Sequence, residues 1–500
     1  MARPKPRLYR GLRDSFSEDV LAKQEMLDAV RGVYQRYGFV PLETPAIEFV
    51  DVLGKYLPEG NQPQGGIYSF QNPDIANPTP DNAADLWLAL RYDLTASLAR
   101  VVAQYNELQR PFRRYQFGYV WRHEKPGPGR FREFFQLDFD TVGSKSMAAD
   151  AESCCVAADV MAALGFEPGQ YLILVNNRKV LRGVLETAGL DESDVTEDQS
   201  RAATVLRAID KLDRLGLDGV RQLLGKGRRD ETGDFTAGAE LDSAQIALVE
   251  QYLRVPRARR DQACDELERV VGESAIGLEG VAELREIDAL LARIGYAEDR
   301  VAFDPTVVRG MGYYTGPVYE AVLTEAVRDA KGKPVNIGSI FGGGRYDGLV
   351  ERFTGQQVPA TGASVGIDRL YEAVRLLERK APRGATADVL VTCMDKGRAA
   401  EYFALTHELR QAGISAEMFL GSGNIGKQLK YADKLDIPFA LIIGEDEFER
   451  GVCQVKDLWL GRKLAGQVES REEWKEQPQQ FEVQLDSVVA ELRRHIDQLS

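Results

Sequence analysis

The sequence predicts an α+β fold: antiparallel strands with helices, an inserted helical module, and a small α/β domain at the end. Three observations carry this expectation. Residues Arg122–Asp140, RHEKPGPGRFREFFQLDFD, read as two strands joined by a Pro/Gly turn. From about 180 to 298 the chain is helical in pattern and dense in Arg, Asp and Glu, with no convincing strand. From 386 onward, short apolar strands alternate with helices.

Taken in order, residues 17–37 predict a helix: Ser17 is a suitable N-cap, Val20, Leu21, Leu27, Val30, Val33 and Tyr34 form its stripe, and Gly38 stops it. An extended segment with Pro41 and Pro45 follows, and 58–82, rich in Pro, Gly, Asn and Gln, reads as an exposed loop. Leu86–Asp93 is a short strand and Leu94–Asn106 a helix. In the hairpin, Tyr115, Phe117, Tyr119 and Trp121 alternate with Gln116, Gly118, Val120 and Arg122, so the aromatics share one face. Past the turn, Gln136, Asp138 and Asp140 alternate with Phe135, Leu137 and Phe139. One face thus offers arginines at one end and carboxylates at the other, which suits a ligand with an anionic and a cationic part. A helix at 148–164 and a strand at 171–175 precede the helical insertion. Strands return at Val301 and recur at 318–323, 339–344 and 361–366 before a helix at 367–379. The last domain reads as strand 388–392, helix 399–412, strand 416–419, helix 425–435 and strand 439–443, mostly parallel, and an amphipathic helix spans 484–498. The expected divisions are 1–178 and 301–382 as two parts of one domain, 179–300 as the insertion, 386–470 as the α/β domain, and 471–500 as an extension.

Composition narrows the function. The chain has 500 residues, 44% hydrophobic and 28% charged, which fits a soluble protein of several domains. No apolar run approaches the ~20 residues of a membrane helix, and the first residues lack the apolar core of a secretory signal. Five cysteines without CxxC spacing argue against a disulfide framework and point to a reducing cytoplasm. Three scattered histidines make a zinc site unexpected. A net charge of −14 argues against bulk nucleic-acid binding but leaves room for a local basic patch.

Several motifs stand out. Gly421–Lys427 has GxxxxGK spacing, but Gln428 occupies the place of the Mg²⁺-binding hydroxyl, so it reads as a turn before a helix. Gly342–Gly348, GGGRYDG, lets backbone approach a ligand or bend sharply at a strand end. Arg309–Tyr314 pairs an arginine with two tyrosines, and Arg369 opens a helix. Arg122, Arg130 and Arg132 flank the turn, Arg113 and Arg114 add to the cluster, and guanidinium forks match phosphate. His123 points away from Arg122 and reads as structural or polyanion-facing.

The order of these motifs resembles a class II aminoacyl-tRNA synthetase: Pro45 after a long helix, Arg91–Thr95, Arg122-His-Glu with Arg130–Asp140, and Gly366–Arg369. Arg309–Tyr314 and Gly342–Gly348 are similar to the two signatures of the histidyl-tRNA synthetase family, and Arg10–Asp14 to its N-terminal RGxxD. The resemblance implies a six-stranded antiparallel sheet, a homodimer built partly by the Pro45 segment, a C-terminal anticodon-binding domain, and a cytoplasmic enzyme using ATP and Mg²⁺. It implies histidine activated to histidyl-adenylate and transferred to the terminal 3′-OH of its tRNA. By the same resemblance Arg122 and Arg309 are the catalytic groups: Arg122 holds the α-phosphate, and Arg309, opposite, bridges the histidine carboxylate and the α-phosphate. Arg369 and Arg130 serve the pyrophosphate end, Phe134 stacks on adenine, and Glu124 contacts the adenine amine or a neighbouring arginine. Asp93, Thr95 and Gln136 bind the α-amino group. Asp140 and Tyr314, with Tyr313 beside it, bind the imidazole, and Tyr346 closes the pocket. The chain departs from the common bacterial pattern with Asp at 93 and 140 in place of Glu, as in the eukaryote-like branch, and with Gly312 in place of Asp. Lys427, Lys430, Arg254, Arg257, Arg259 and Arg260 are candidate tRNA backbone contacts, and the turn Lys125–Arg130 faces the acceptor end. The rival reading is a catalytically inactive histidine-binding regulatory paralogue. The catalytic arginines and the domain from 386 count against it.

Overall fold

A computed structural model describes residues 3, 5–53, 66–77, 79, 82, 85–127, 130–190, 200–229, 233–257, 259–308, 314–329, 331–335, 337–377, 384–460 and 480–498. The chain divides into two compact units, Met1–Arg13 with Glu25–Lys380, and Asp14–Gln24 with Ala381–Ser500.

The helix α1 (Ser17–Arg36) begins in the second unit's Asp14–Gln24 and enters the first at Glu25; the first unit continues with β1 (Val40–Pro41), β2 (Ile47–Phe49), β3 (Ser69–Gln71), β4 (Trp87–Leu90) and α2 (Leu94–Gln104). The hairpin strands β5 (Phe112–Trp121) and β6 (Glu133–Val142) follow, then α3 (Met147–Ala163), β7 (Tyr171–Asn177) and α4 (Arg178–Thr187). Next come α5 (Arg201–Ile209), α6 (Leu212–Leu224), β8 (Gly227–Arg229), β9 (Phe235–Ala237), α7 (Ser243–Leu253), α8 (Arg260–Val271) and α9 (Ala275–Arg293). The unit closes with β10 (Val301–Phe303), β11 (Pro317–Leu323), β12 (Phe341–Arg345), α10 (Glu351–Thr354), β13 (Ala360–Gly366) and α11 (Ile367–Leu376).

Its main sheet runs β1-β5-β6-β13-β12-β11-β7-β10. The six inner strands pair antiparallel, and β1 and β10 add a parallel strand at each edge. The aromatic side of the hairpin is buried as its period of two requires: Tyr34 of α1 packs on Phe117 and Phe139, and its hydroxyl donates to the Leu137 carbonyl at 3.1 Å. Two expectations are revised. The segment 58–82 holds strand β3, which pairs with β4, and the helical stretch holds the hairpin β8–β9. Both strands are three residues long, too short for a period to register. The helical stretch is also tied to the main sheet: Asn177 at the end of β7 caps α4 and donates to Glu283 of α9 at 2.7 Å.

In the second unit β14 (Val389–Val391), α12 (Ala399–Gln411), β15 (Ala416–Met418), α13 (Ile425–Lys434) and β16 (Phe439–Ile442) give three parallel strands. After α14 (Glu445–Arg450), β17 (Val452–Asp457) and β18 (Gln480–Gln484) extend the sheet antiparallel. Val483 and, from the closing helix, Val488 and Leu492 share a core with Val389, Phe439 and Val455, so 480–498 is part of this sheet's packing. The GxxxxGK string is the N-terminal turn of α13: Asn424 caps it, and Gln428 is buried, bonded to the backbone of Cys393 and Gly423. No helix among the described residues is long and apolar enough to cross a membrane.

Candidate active site

The polar face of the hairpin floors a cavity of about 790 Å³, near the top of the roughly 300–1,000 Å³ usual for ligand sites. Strand register sets its floor in rows. Arg114 of β5, Asp140 of β6 and Gly362 of β13 lie abreast, then Gln116, Asp138 and Ser364, then Gly118, Gln136 and Gly366. A β-carbon on Gly362 would fall on the Asp140 carboxylate, so glycine there clears room for it.

The Asp140 end is closed. Arg114 is fully buried and pairs with Asp140 at 2.7 Å, and the Tyr346 hydroxyl donates to the same carboxylate. Burial raises the Asp140 pKa, against the pull of Arg114 and Tyr346. Burial also pushes Asp138 up to about 7, with the Asp140 charge adding and Arg114 opposing. Gln136 donates to Ser364 Oγ at 3.0 Å. Asp93 caps α2, accepting from the Ala96 amide at 2.8 Å, which turns the first residues of α2, Thr95 among them, toward the cavity. Tyr314 lines the same end.

The other end is open and cationic. The Arg122 guanidinium lies 4.2 Å from the Tyr92 ring centroid and 5.1 Å from that of Phe134, and its Nε donates to the Tyr92 carbonyl at 3.2 Å. The Tyr92 hydroxyl donates to Glu124 at 3.2 Å. Arg369, at the start of α11, donates to the Ser339 carbonyl at 2.9 Å, and Arg130 lines the rim. The N-terminal segment braces this end. Arg13 pairs with Asp368 and stacks over Phe131, while Arg132 donates to the Arg10 carbonyl at 3.2 Å.

The structure thus gathers Asp93, Thr95, Arg122, Glu124, Arg130, Phe134, Gln136, Asp140, Tyr314, Tyr346 and Arg369 around one cavity. Arg309 and Tyr313 lie outside the described residues. Two readings are corrected, for Arg113 with Arg114 and for Arg260. Arg113 and Arg114 do not join the turn arginines, because they sit at the far end of β5. Arg113 bonds Tyr37 and Glu152, and Arg114 serves Asp140. Arg260 is buried against Asp288 and the carbonyls of Tyr296 and Val301, so it is not a surface contact. His123 packs edge-on against Tyr68 at 5.3 Å, away from the cavity lining, as its place in the strand implied. Sequence reasoning placed Asp138 on the polar face with Gln136 and Asp140 but gave it no role in the site. It had no signal for Tyr92, Ser364 or Asp368.

A six-stranded antiparallel sheet carrying an arginine-bearing hairpin over such a cavity is the fold of the class II aminoacyl-tRNA synthetases. The histidyl-tRNA synthetase family profile matches residues 11–370, and an anticodon binding domain profile matches 388–495. The chain is 50% identical to the histidine–tRNA ligase of Roseobacter denitrificans over 99% of its length and 98% of the relative's. It is 52% identical to that of Cereibacter sphaeroides, with 97% of each covered. The crystal structure of histidyl-tRNA synthetase from Nostoc superposes with a TM-score of 0.74 at 28% identity, covering 99% of this chain and 100% of that one. The chain belongs to the histidyl-tRNA synthetase family.

Proposed function

We propose that this cavity performs the ATP-dependent ligation of L-histidine to the 3′ end of its tRNA, with ATP over the Arg122 end and histidine over the Asp140 end. The supporting observation is the polarity of a single cavity: arginines at one end, buried carboxylates at the other, on neighbouring residues of one hairpin. The histidine carboxylate is ionised near neutral pH, so its attack on the α-phosphorus needs no protein base. A carboxylate oxygen forms the new P–O bond, pyrophosphate leaves with the electrons of the old one, and the protein's task is placement and charge balance. Arg122 takes the α-phosphate, and Arg309 is assigned its other side. Arg369 and Arg130 take the departing pyrophosphate, and Phe134 and Glu124 hold adenine. Such preorganised cations stabilise charge that develops in the transition state. In the second step the tRNA hydroxyl attacks the acyl carbon, and AMP leaves.

At the other end Asp140 and Tyr314, with Tyr313, accept and position the imidazole under Tyr346, while Asp93, Thr95 and Gln136 take the α-amino group. A site built to bond a ring N–H rejects isosteres lacking it by large factors. Mg²⁺ would supply charge neutralisation of the triphosphate and enter bound to it. Among the described residues no group of three or more His, Cys, Asp or Glu side chains could hold a metal. The second unit is assigned the anticodon, and Lys427 and Lys430 of α13 phosphate contacts. A cytoplasmic homodimer completes the reading, supported by exposed Val40, Ile47, Phe49 and Phe70 around the Pro45 segment. The inactive regulatory rival is disfavoured by the relatives at about 50% identity, which are ligases by name. ATP–pyrophosphate exchange measured over all twenty amino acids tests the proposal. Exchange with histidine alone is expected, and silence with histidine overturns it.

A further inference from the structure

Asp138 has no role in the assignments above, yet it is 1% exposed, lines the cavity, and stands between Gln136 and Asp140 on the same face of β6. Its Oδ1 is buried without a hydrogen-bond partner among the described residues, and so is Oε1 of Gln136. Gln136 donates through Nε2 to Ser364 Oγ at 3.0 Å, and Ser364 stands opposite Asp138 in the strand register. The amide nitrogen of Gln136 is thus engaged, and its oxygen is the end left over. Two buried acceptors, one a carboxylate, are therefore left for a ligand in the cavity, and leaving them unmade is costly.

Charge separates the two carboxylates. Asp140 has Arg114 at 2.7 Å, a balanced pair suited to a neutral ring N–H. Asp138 has no ion pair of its own among the described residues, which suits a cation. Resting on the reading of this end as the histidine site, we propose that Asp138 is a substrate-binding carboxylate which, with Gln136, accepts the N–H donors of the α-ammonium group. An ammonium brings three donors and the missing positive charge in one group. The proton balance agrees. Asp138 is held near 7 by burial and by the charges of Asp140 and Asp93, against Arg114 and Ser364, so a bound ammonium draws it into the ionised form.

The test compares L-histidine with imidazolepropionate, which lacks the amino group, by calorimetric titration of the full chain. Asp138→Asn is expected to weaken L-histidine about 10- to 100-fold, as loss of a charge-assisted contact does, and to leave imidazolepropionate within about twofold. Asp138→Ser, smaller and also neutral, should give the same split. Equal losses for both ligands, or none, overturn the proposal. Gln136→Leu separates it from the reading beneath. If Gln136→Leu removes the preference for L-histidine and Asp138→Asn does not, the role of Asp138 alone is refuted. If neither removes it, the α-ammonium group is held by Asp93 and Thr95 without Asp138 and the proposal falls; failure of the unaltered protein to bind L-histidine would instead overturn the histidine reading of this end.

Discussion

The two ends of the cavity solve opposite electrostatic problems. At the open end Arg122 and Arg369 are half-exposed and Arg130 exposed. They are steadied by carbonyls and ring faces, with the Tyr92 and Ser339 carbonyls and the Tyr92 and Phe134 rings as examples. These cations line the open end of the cavity. At the closed end Asp138, Asp140 and Arg114 are all buried, and the charges are held by one another and by the hydroxyl of Tyr346. Charge that awaits a highly charged, solvated ligand is cheap to keep near water. Charge that must discriminate a small ligand is placed where every unmade bond is costly.

That contrast can be broken in graded ways. Arg122→Ala should lower ATP–pyrophosphate exchange by about 10³-fold while leaving histidine binding without ATP nearly unchanged. A parallel loss of histidine binding would show that the two ends are not independent. Arg114→Met removes the buried cation beneath two carboxylates and should cost about 3–5 kcal/mol of stability at pH 8. The sign of its pH dependence follows from the raised carboxylates. With Asp138 near 7, protons bound as pH falls neutralise the uncompensated charge, so the deficit shrinks by pH 6. Urea unfolding at the two pH values measures this, and a deficit that grows toward acid would contradict it. Gly362→Ala drives a β-carbon into the Asp140 carboxylate. Its overpacking cost of about 1–3 kcal/mol should appear in KM for histidine and not in KM for ATP. Phe134→Ala should raise KM for ATP by about tenfold through lost stacking and leave histidine untouched. Steady-state exchange kinetics with each substrate varied distinguish these last two.

Much of the site was legible before any coordinates. The alternation in 115–121 and 135–140 told which side chains share a face, because a strand's period of two leaves no choice. The hairpin formed as read, Tyr34 covers its aromatic face, and Gln136 and Asp140 line the cavity. In the second unit the strand–helix alternation was read nearly to the residue, but the antiparallel β17 and β18 were not, since pairing direction is not written in local pattern.

By itself the sequence determined the alternation of strand and helix, the polarity of the hairpin face and, through the order of its motifs, the family. Only the tertiary structure decided which charges meet. Arg114 under Asp140, Ser364 beside Asp138, Arg13 on Asp368, and the glycine opposite Asp140 all join residues far apart along the chain. Sequence spacing constrains neighbours along one strand. Strand register, fixed by the packing of the whole sheet, selects neighbours across it.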